Sequence, residues 1–187
     1  MPSMSFLPAL ATRKQLREEA LYRPRHVVLV ADPALPAAGL LARNLASGGF
    51  GGRLSIVGME HEGFEAVPAI AGLPDPPDLA VLALPPEGIE PAMSALAARG
   101  CHAAVVPGAS PDLTEIAART GIRALGQGSF GICVPGIGLN VSLAHIAPRK
   151  GRLALICQSS ALARAVLDWA EAESVGCLLY TSDAADD

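Results

Sequence analysis

The sequence predicts an α/β fold: an open parallel sheet with helices on both faces, followed by the opening of a second α/β unit. Three observations predict it. Short, unbroken apolar runs recur along the chain, as strands buried on both faces require. Each is followed by a stretch with helical spacing or turn residues, and the alternation of strand and helix repeats five times. After the fifth strand a Gly/Pro-rich stretch breaks the rhythm, and a fresh strand and helix begin.

The elements follow in order. Residues 1–25 are a lead-in, in which TRKQLREEALY reads as a short helix capped by Thr12 and stopped before Pro24. HVVLVA (residues 26–31) is the first strand, and PAAGLLARNLAS is a helix ending at Gly48 and Gly49. RLSIV (53–57) is the second strand. A polar loop follows, then AVPAIAGLPDPPD, read as a short helix broken by prolines. LAVLAL (79–84) is the third strand, stopped by Pro85 and Pro86, and GIEPAMSALAARG is the helix after it. HAAVVP is the fourth strand. SPDLTEIAARTG is a helix started by Ser110 or Asp112 and ended by Gly121, and IRALG is the fifth strand. GQGSFGICVPGIGLNVSLAHIAPRKG is a connector without period. RLALIC (152–157) is a new strand, and QSSALARAVLDWAEAES a new amphipathic helix with Leu162, Ala165, Val166 and Trp169 on one face. One strand and one helix cannot bury a core of their own, so residues 152–187 are expected to pack poorly and leave an apolar helix face open. The closing CLLYTSDAADD continues neither period.

Composition narrows the function classes. The chain has 187 residues, of which 51% are hydrophobic but only 4% aromatic, so its core is built from Ala, Val, Leu and Ile. Net charge is -4, and the arginines are scattered rather than gathered into a basic stripe, which argues against nucleic acid. No apolar window is long enough for a membrane span and no secretory signal is readable, so a cytoplasmic protein is expected. Cys101, Cys133, Cys157 and Cys177 have no zinc-type spacing and read as buried thiols.

In an open parallel sheet, ligands bind at the carboxyl ends of the strands, where the chain order reverses. The turns to read are therefore Ala31-Asp32-Pro33, Gly58-Met59, Pro85-Pro86, Pro107-Gly108-Ala109 and Gln127-Gly128. The first lacks the glycines of a phosphate cradle. Pro33 removes a backbone donor, and the Asp32 carboxylate costs a diphosphate about 1 kcal/mol or more. Asp32 reads equally as a turn residue capping the next helix. A diphosphate could still rest on the N–H groups near Ala37 and Ala38, helped by an arginine such as Arg53. An NAD site would need GxGxxG and an acid after the second strand; the glycines are missing and Glu60 is the nearby acid.

LYRPRHVVLV, PDLAVLALPPEGI, ARGCHAAVVPGAS and the long run from GIRALGQGSFG to ALARAVLDWA together resemble the N-terminal portion of the NDP-forming acyl-CoA synthetases. That family includes ADP-forming acetate–CoA ligase, the α subunit of succinyl-CoA synthetase, and relatives fused to a GNAT acetyltransferase that modifies protein lysines. The resemblance spans about residues 20–176 and is most specific at GLN (138–140) and across residues 154–170. It implies a CoA-binding Rossmann-like domain at 26–148 and the first βα unit of a truncated flavodoxin-like ligase domain at 151–176. It leaves 177–187 as an out-of-family tail, read as translated adapter at the end of a truncated reading frame.

The resemblance implies CoA or acyl-CoA as ligand, held by Ala31, Asp32, Pro33, Gly58, Met59, Pro85, Pro86, Pro107, Gly108, Ala109, Gln127 and Gly128. It implies a phosphate held at the helix start Gln158-Ser159-Ser160, where backbone donors and the helix dipole converge. ATP, ADP and Mg belong to downstream ligase and ATP-grasp domains or a β-type subunit outside this chain, so the chain alone is expected to be inactive. Departures from the family pattern are plain. The first turn differs at all three residues, Gly58-Met59 lacks the usual asparagine and basic residue, Gln127-Gly128 replaces proline-asparagine, and Ser160 replaces glycine. His26, His61, His102 and His145 read as strand-end or surface residues, and Cys133 as an inert thiol. No catalytic residue and no metal ligand is expected here. Two readings remain: the CoA-binding portion of an acetate–CoA ligase-like protein, and a degenerate CoA-sensing domain of a GNAT-fused acetyltransferase.

Overall fold

The computed structural model describes residues 19–110 and 112–182. A helical turn over residues 19–22 leads into the first strand; Thr12, the expected cap, lies outside the described residues. Six strands follow: β1 (His26–Ala31), β2 (Arg53–Val57), β3 (Glu65–Val67), β4 (Leu79–Ala83), β5 (Ala103–Val105) and β6 (Arg123–Leu125). They form one sheet in the order β3-β2-β1-β4-β5-β6, and every pairing is parallel. β1 and β4 are buried along their whole length because both lie inside the sheet and are covered on both faces.

Side chains alternate between the two faces, as the strand period demands. Val27, Leu29 and Ala31 turn toward α1 (Pro36–Ser47), which buries Ala38, Leu41, Ala42 and Leu45 at helical spacing. Val28 and Val30 turn the other way, toward α2 (Pro86–Ala98) and α3 (Leu113–Thr120), meeting Ile89, Met93, Leu96, Leu113 and Ile116. Proline opens both α1 and α2, where its missing N–H costs no helix bond.

The stretch read as an aperiodic connector holds a hairpin, β7 (Gly131–Val134) and β8 (Leu139–Ser142). It is a two-faced wall. Ile132, Leu139 and Val141 join the core beneath α1, while Phe130 and Cys133 join a second core with Ala163 and Leu167. Asn44 on α1 fixes it by donating to the carbonyls of Ser142 (2.8 Å) and Ala144 (2.9 Å). Gly138, at φ 71°, brings its backbone against Gly48 and Gly49 so closely that no Cβ fits. The GLN motif therefore has a packing role: its glycine is the seat of the α1 end, and its Asn140 is buried, accepting from the Ser142 hydroxyl at 2.6 Å.

The hairpin continues into a second sheet of order β8-β7-β10-β9, formed with β9 (Lys150–Cys157) and β10 (Cys177–Ser182). β10 lies parallel to β9 and antiparallel to β7. The strand and helix that open the second unit thus find partners from the connector on one side and from residues 177–182, where no element was readable, on the other. The helix α4 (Ser160–Ala172) buries Ala163, Leu167 and Ala170, not the face read from the sequence. Leu162 and Trp169 remain 53% exposed and Ile156 on β9 74%, so an apolar surface is open here as expected.

Two further differences have simple causes. β3 was not readable because three residues at a sheet edge carry no period. AVPAIAGLPDPPD gives β3 its last two residues and then only a 3-10 turn, Ile70–Gly72, because its prolines deny the backbone donors an α-helix needs.

Candidate functional site

Because all six strands are parallel, their carboxyl ends share one edge. Chain order reverses between β1 and β4, and there Asp32 N–H donates to Ala83 C=O at 2.8 Å, extending the ladder one residue into the turn. The rest of the β1 turn is closed on itself. Ala34 N–H donates to Asp32 Oδ1 (2.9 Å), Leu35 N–H to Asp32 C=O (3.0 Å), and Ala38 N–H to Leu35 C=O (3.0 Å). Pro33 and Pro36 have no N–H at all. Of the two helix-start amides expected to receive a diphosphate, Ala38 is taken, which leaves Ala37.

The β2 turn presses on the β1 turn. Gly58 has φ 92°, and a Cβ there would collide with the Ala31 carbonyl. Met59 packs against the core below α1. Gly58, Met59, Glu60, Ala66, Val67 and Pro68 line a cavity of about 440 Å³ between the ends of β2 and β3.

The other three turns also meet. Gly108 in the β5 turn lies against the Leu84 carbonyl that precedes Pro85. Gly128 N–H in the β6 turn donates to Gly108 C=O (3.0 Å), and Gln127 Oε1 accepts from Ser110 N–H (3.1 Å). Pro107, Gly108, Ala109, Gln127 and Gly128 thus form one joined rim. Pro85 precedes α2 and Pro86 begins it; beside them a cleft of about 430 Å³ is lined by Glu87, Glu90, Ser110, Asp112 and Ile116.

Gln158, Ser159 and Ser160 are exposed at the carboxyl end of β9, in the second sheet. Ser159 is the N-cap of α4: its hydroxyl accepts from Leu162 N–H (3.3 Å) and its carbonyl from Ala163 N–H (2.9 Å). Arg164 on α4 joins the same region to the segment leaving the β6 turn, its guanidinium carbon standing 4.9 Å over the ring of Phe130. No sequence spacing marks that pair, since its members are brought together only by the packing of α4 on the hairpin.

Arg53 corrects an expectation. It opens β2, so it stands at the amino edge of the sheet, the edge away from the β1 turn, and it pairs there with Asp75 and with Glu65 (3.8 Å). The histidines are scattered. His26 Nε2 meets Ser55 Oγ at 2.9 Å, buried at the amino edge; His61 Nδ1 bonds the Glu62 carbonyl (2.7 Å); His145 pairs with Asp168 (2.8 Å). His102 is partly buried, just ahead of β5. Burial pushes the Cys133 thiol up to about 12, with Cys177 nearby adding to the effect, so it is no nucleophile at neutral pH. Among the described residues no group of three His, Cys, Asp or Glu side chains is placed to hold a metal, and no helix is long and apolar enough to cross a membrane.

A doubly wound sheet whose switch point opens between β1 and β4, with its turns joined in two groups, defines a nucleotide-type ligand domain. Residues 23–135 match the CoA binding domain family, and the chain belongs to that family. Among curated relatives it is 28% identical over 175 residues to ADP-forming acetate–CoA ligase I of Archaeoglobus fulgidus, covering 84% of this chain and 25% of that protein. It is 28% identical over 181 residues to the α subunit of ADP-forming acetate–CoA ligase I of Pyrococcus furiosus, covering 84% of this chain and 39% of that one. Among solved structures, the apo form of the dinucleotide-forming acetyl-coenzyme A synthetase 1 of Ca. Korarchaeum cryptofilum superposes with a TM-score of 0.81 at 26% identity. That superposition covers 90% of this chain and 41% of that one. The chain thus spans between a quarter and about two fifths of the length of these relatives.

Proposed function

We propose that this chain is the CoA- or acyl-CoA-binding portion of an ADP-forming acyl-CoA ligase of the acetate–CoA ligase kind. The full reaction would join a carboxylate to CoA at the expense of ATP, giving acyl-CoA, ADP and phosphate. The observation that carries the reading is the family match over residues 23–135, which takes in all six parallel strands and the turns at their carboxyl ends. In this reading residues 26–148 are the CoA-binding domain, and 151–176 begin the ligase domain, with 177–187 outside the family pattern. The joined rim Pro107–Ala109 with Gln127 and Gly128, together with Pro85 and Pro86, borders the pantetheine arm. Gly58 and Met59 border the nucleoside, and Gln158, Ser159 and Ser160 receive the phosphate. ATP, ADP and Mg would be held by further ligase and ATP-grasp domains or a second subunit, in the cytoplasm, and the chain would not turn over alone.

A second reading is favoured by one observation, the self-closed β1 turn. In it the domain has lost its diphosphate cradle and serves as a sensing module within a larger protein acetyltransferase. Calorimetric titration of CoA and acetyl-CoA into the chain at low salt tests the first reading. Saturable heat at sub-millimolar ligand supports it; no heat up to millimolar ligand removes it.

A further inference from the structure

We propose that Glu60 makes the nucleoside end of this site select for a ligand without the 3′-phosphate, so that dephospho-CoA binds more tightly than CoA. The inference rests on the CoA-type reading above and names the ligand class more narrowly.

In a doubly wound sheet the ligand straddles the switch point, and its nucleoside half lies over the turn after the second strand. Here that place is the cavity of about 440 Å³ between the ends of β2 and β3. Its walls are Gly58, Met59, Ala66, Val67 and Pro68, which mix apolar side chains with open backbone and can seat a purine, and its one charged group is Glu60. A carboxylate in this position accepts hydrogen bonds from ribose hydroxyls and repels a phosphate on the same ribose. The 3′-phosphate of CoA carries about two negative charges at neutral pH.

Nothing else in the turns offsets that repulsion. Residues 31–35, 58–61, 84–87, 106–112 and 126–129 contain Asp32, Glu60, Glu87 and Asp112 and neither lysine nor arginine. Arg53 stands at the opposite edge and is paired with acids. His61 neighbours Glu60 but commits Nδ1 to the Glu62 carbonyl, and its ring stands T-shaped to that of Phe64. The carboxylate therefore faces the ligand without a cation to neutralise it.

The test is calorimetry on the full chain at pH 8 with CoA, dephospho-CoA and pantetheine, for the native protein, Glu60→Gln and Glu60→Lys. At low salt dephospho-CoA should bind about three- to tenfold more tightly than CoA, and the gap should shrink as salt rises. Glu60→Gln should narrow the gap and Glu60→Lys should reverse it. Glu60 is exposed, so thermal melts should show both variants folded. Tighter binding of CoA by the native chain overturns the inference and leaves the parent reading standing. A preference for dephospho-CoA that neither variant changes overturns Glu60 as its cause. Failure of all three ligands to bind removes the parent reading and this inference with it.

Discussion

Asp32 Oδ1 accepts the N–H of Ala34 at 2.9 Å, so the carboxylate occupies the donor that a phosphate oxygen would use. The pair explains how the chain keeps a strand–turn–helix at the switch point without the glycines of a cradle. The acid supplies from within what a bound anion would supply from outside.

Opening this turn should restore anion binding at a cost in stability. Asp32→Gly combined with Pro33→Ala frees the Ala34 N–H, adds an N–H at residue 33 and removes a negative charge. Affinity for CoA should rise several-fold in calorimetry. Urea melts should show a loss of about 1 kcal/mol from the missing side-chain bond. Unchanged affinity would place the diphosphate elsewhere.

Gly58→Ala should destabilise the fold. The residue holds φ 92° and backs onto the Ala31 carbonyl, so the substitution meets both backbone strain and a collision. The expected cost is about 1–3 kcal/mol, seen as a lowered melting temperature. Gly51→Ala, where a Cβ meets nothing, is the control and should change little.

Acid should weaken the protein through His26. Burial holds its pKa below the ordinary 6.5, and the Arg53 guanidinium lowers it further; the Pro76 carbonyl and the Asp75 and Asp78 carboxylates oppose this more weakly. The unfolded chain therefore takes up the proton first. The stability that neutral His26 contributes is present above pH 6.5 and is lost as pH falls through the folded value. Denaturant melts at stepped pH should show a decline below 6.5 that is shallower in His26→Asn. A steeper decline in the variant would contradict the assignment.

The two faces of α4 should respond differently to truncation. Leu167→Ala, in the core shared with Phe130 and Cys133, should cost about 2–5 kcal/mol. Leu162→Ser and Trp169→Ser, on the open face, should each stay within about 0.5 kcal/mol of the native chain. Equal losses on both faces would mean that the open face is covered.

The parts legible in the sequence were those with a strong local signal. The bounds of β1, β2 and α1 coincide with HVVLVA, RLSIV and PAAGLLARNLAS because apolar runs and opening prolines act locally. β3 was not legible, since Glu65–Val67 owes its strand form to pairing with β2. Nor was the β7–β8 hairpin, whose alternation is masked because Ile132 and Cys133 are both apolar and face different cores. At the site, the turns could be placed from strand ends alone. What could not be read was which of them touch: the Gly128–Gly108 bond, the Gln127–Ser110 bond and the Arg164–Phe130 stack all join distant segments. Arg53 was misplaced for the same reason in reverse, because nearness in sequence to the β2 turn does not carry a side chain across the length of a strand.

In the proposed function, ligand binds along the carboxyl edge of the first sheet. Amide chemical-shift mapping of the labelled chain during titration with acetyl-CoA tests it most directly. Shifts should gather on Gly58, Met59 and Glu60 and on the rim formed by Gly108, Ala109, Gln127 and Gly128. Arg53, Gly100 and His102, which line the amino edge, should stay still. Shifts confined to those three, or no shifts at all, would contradict the account.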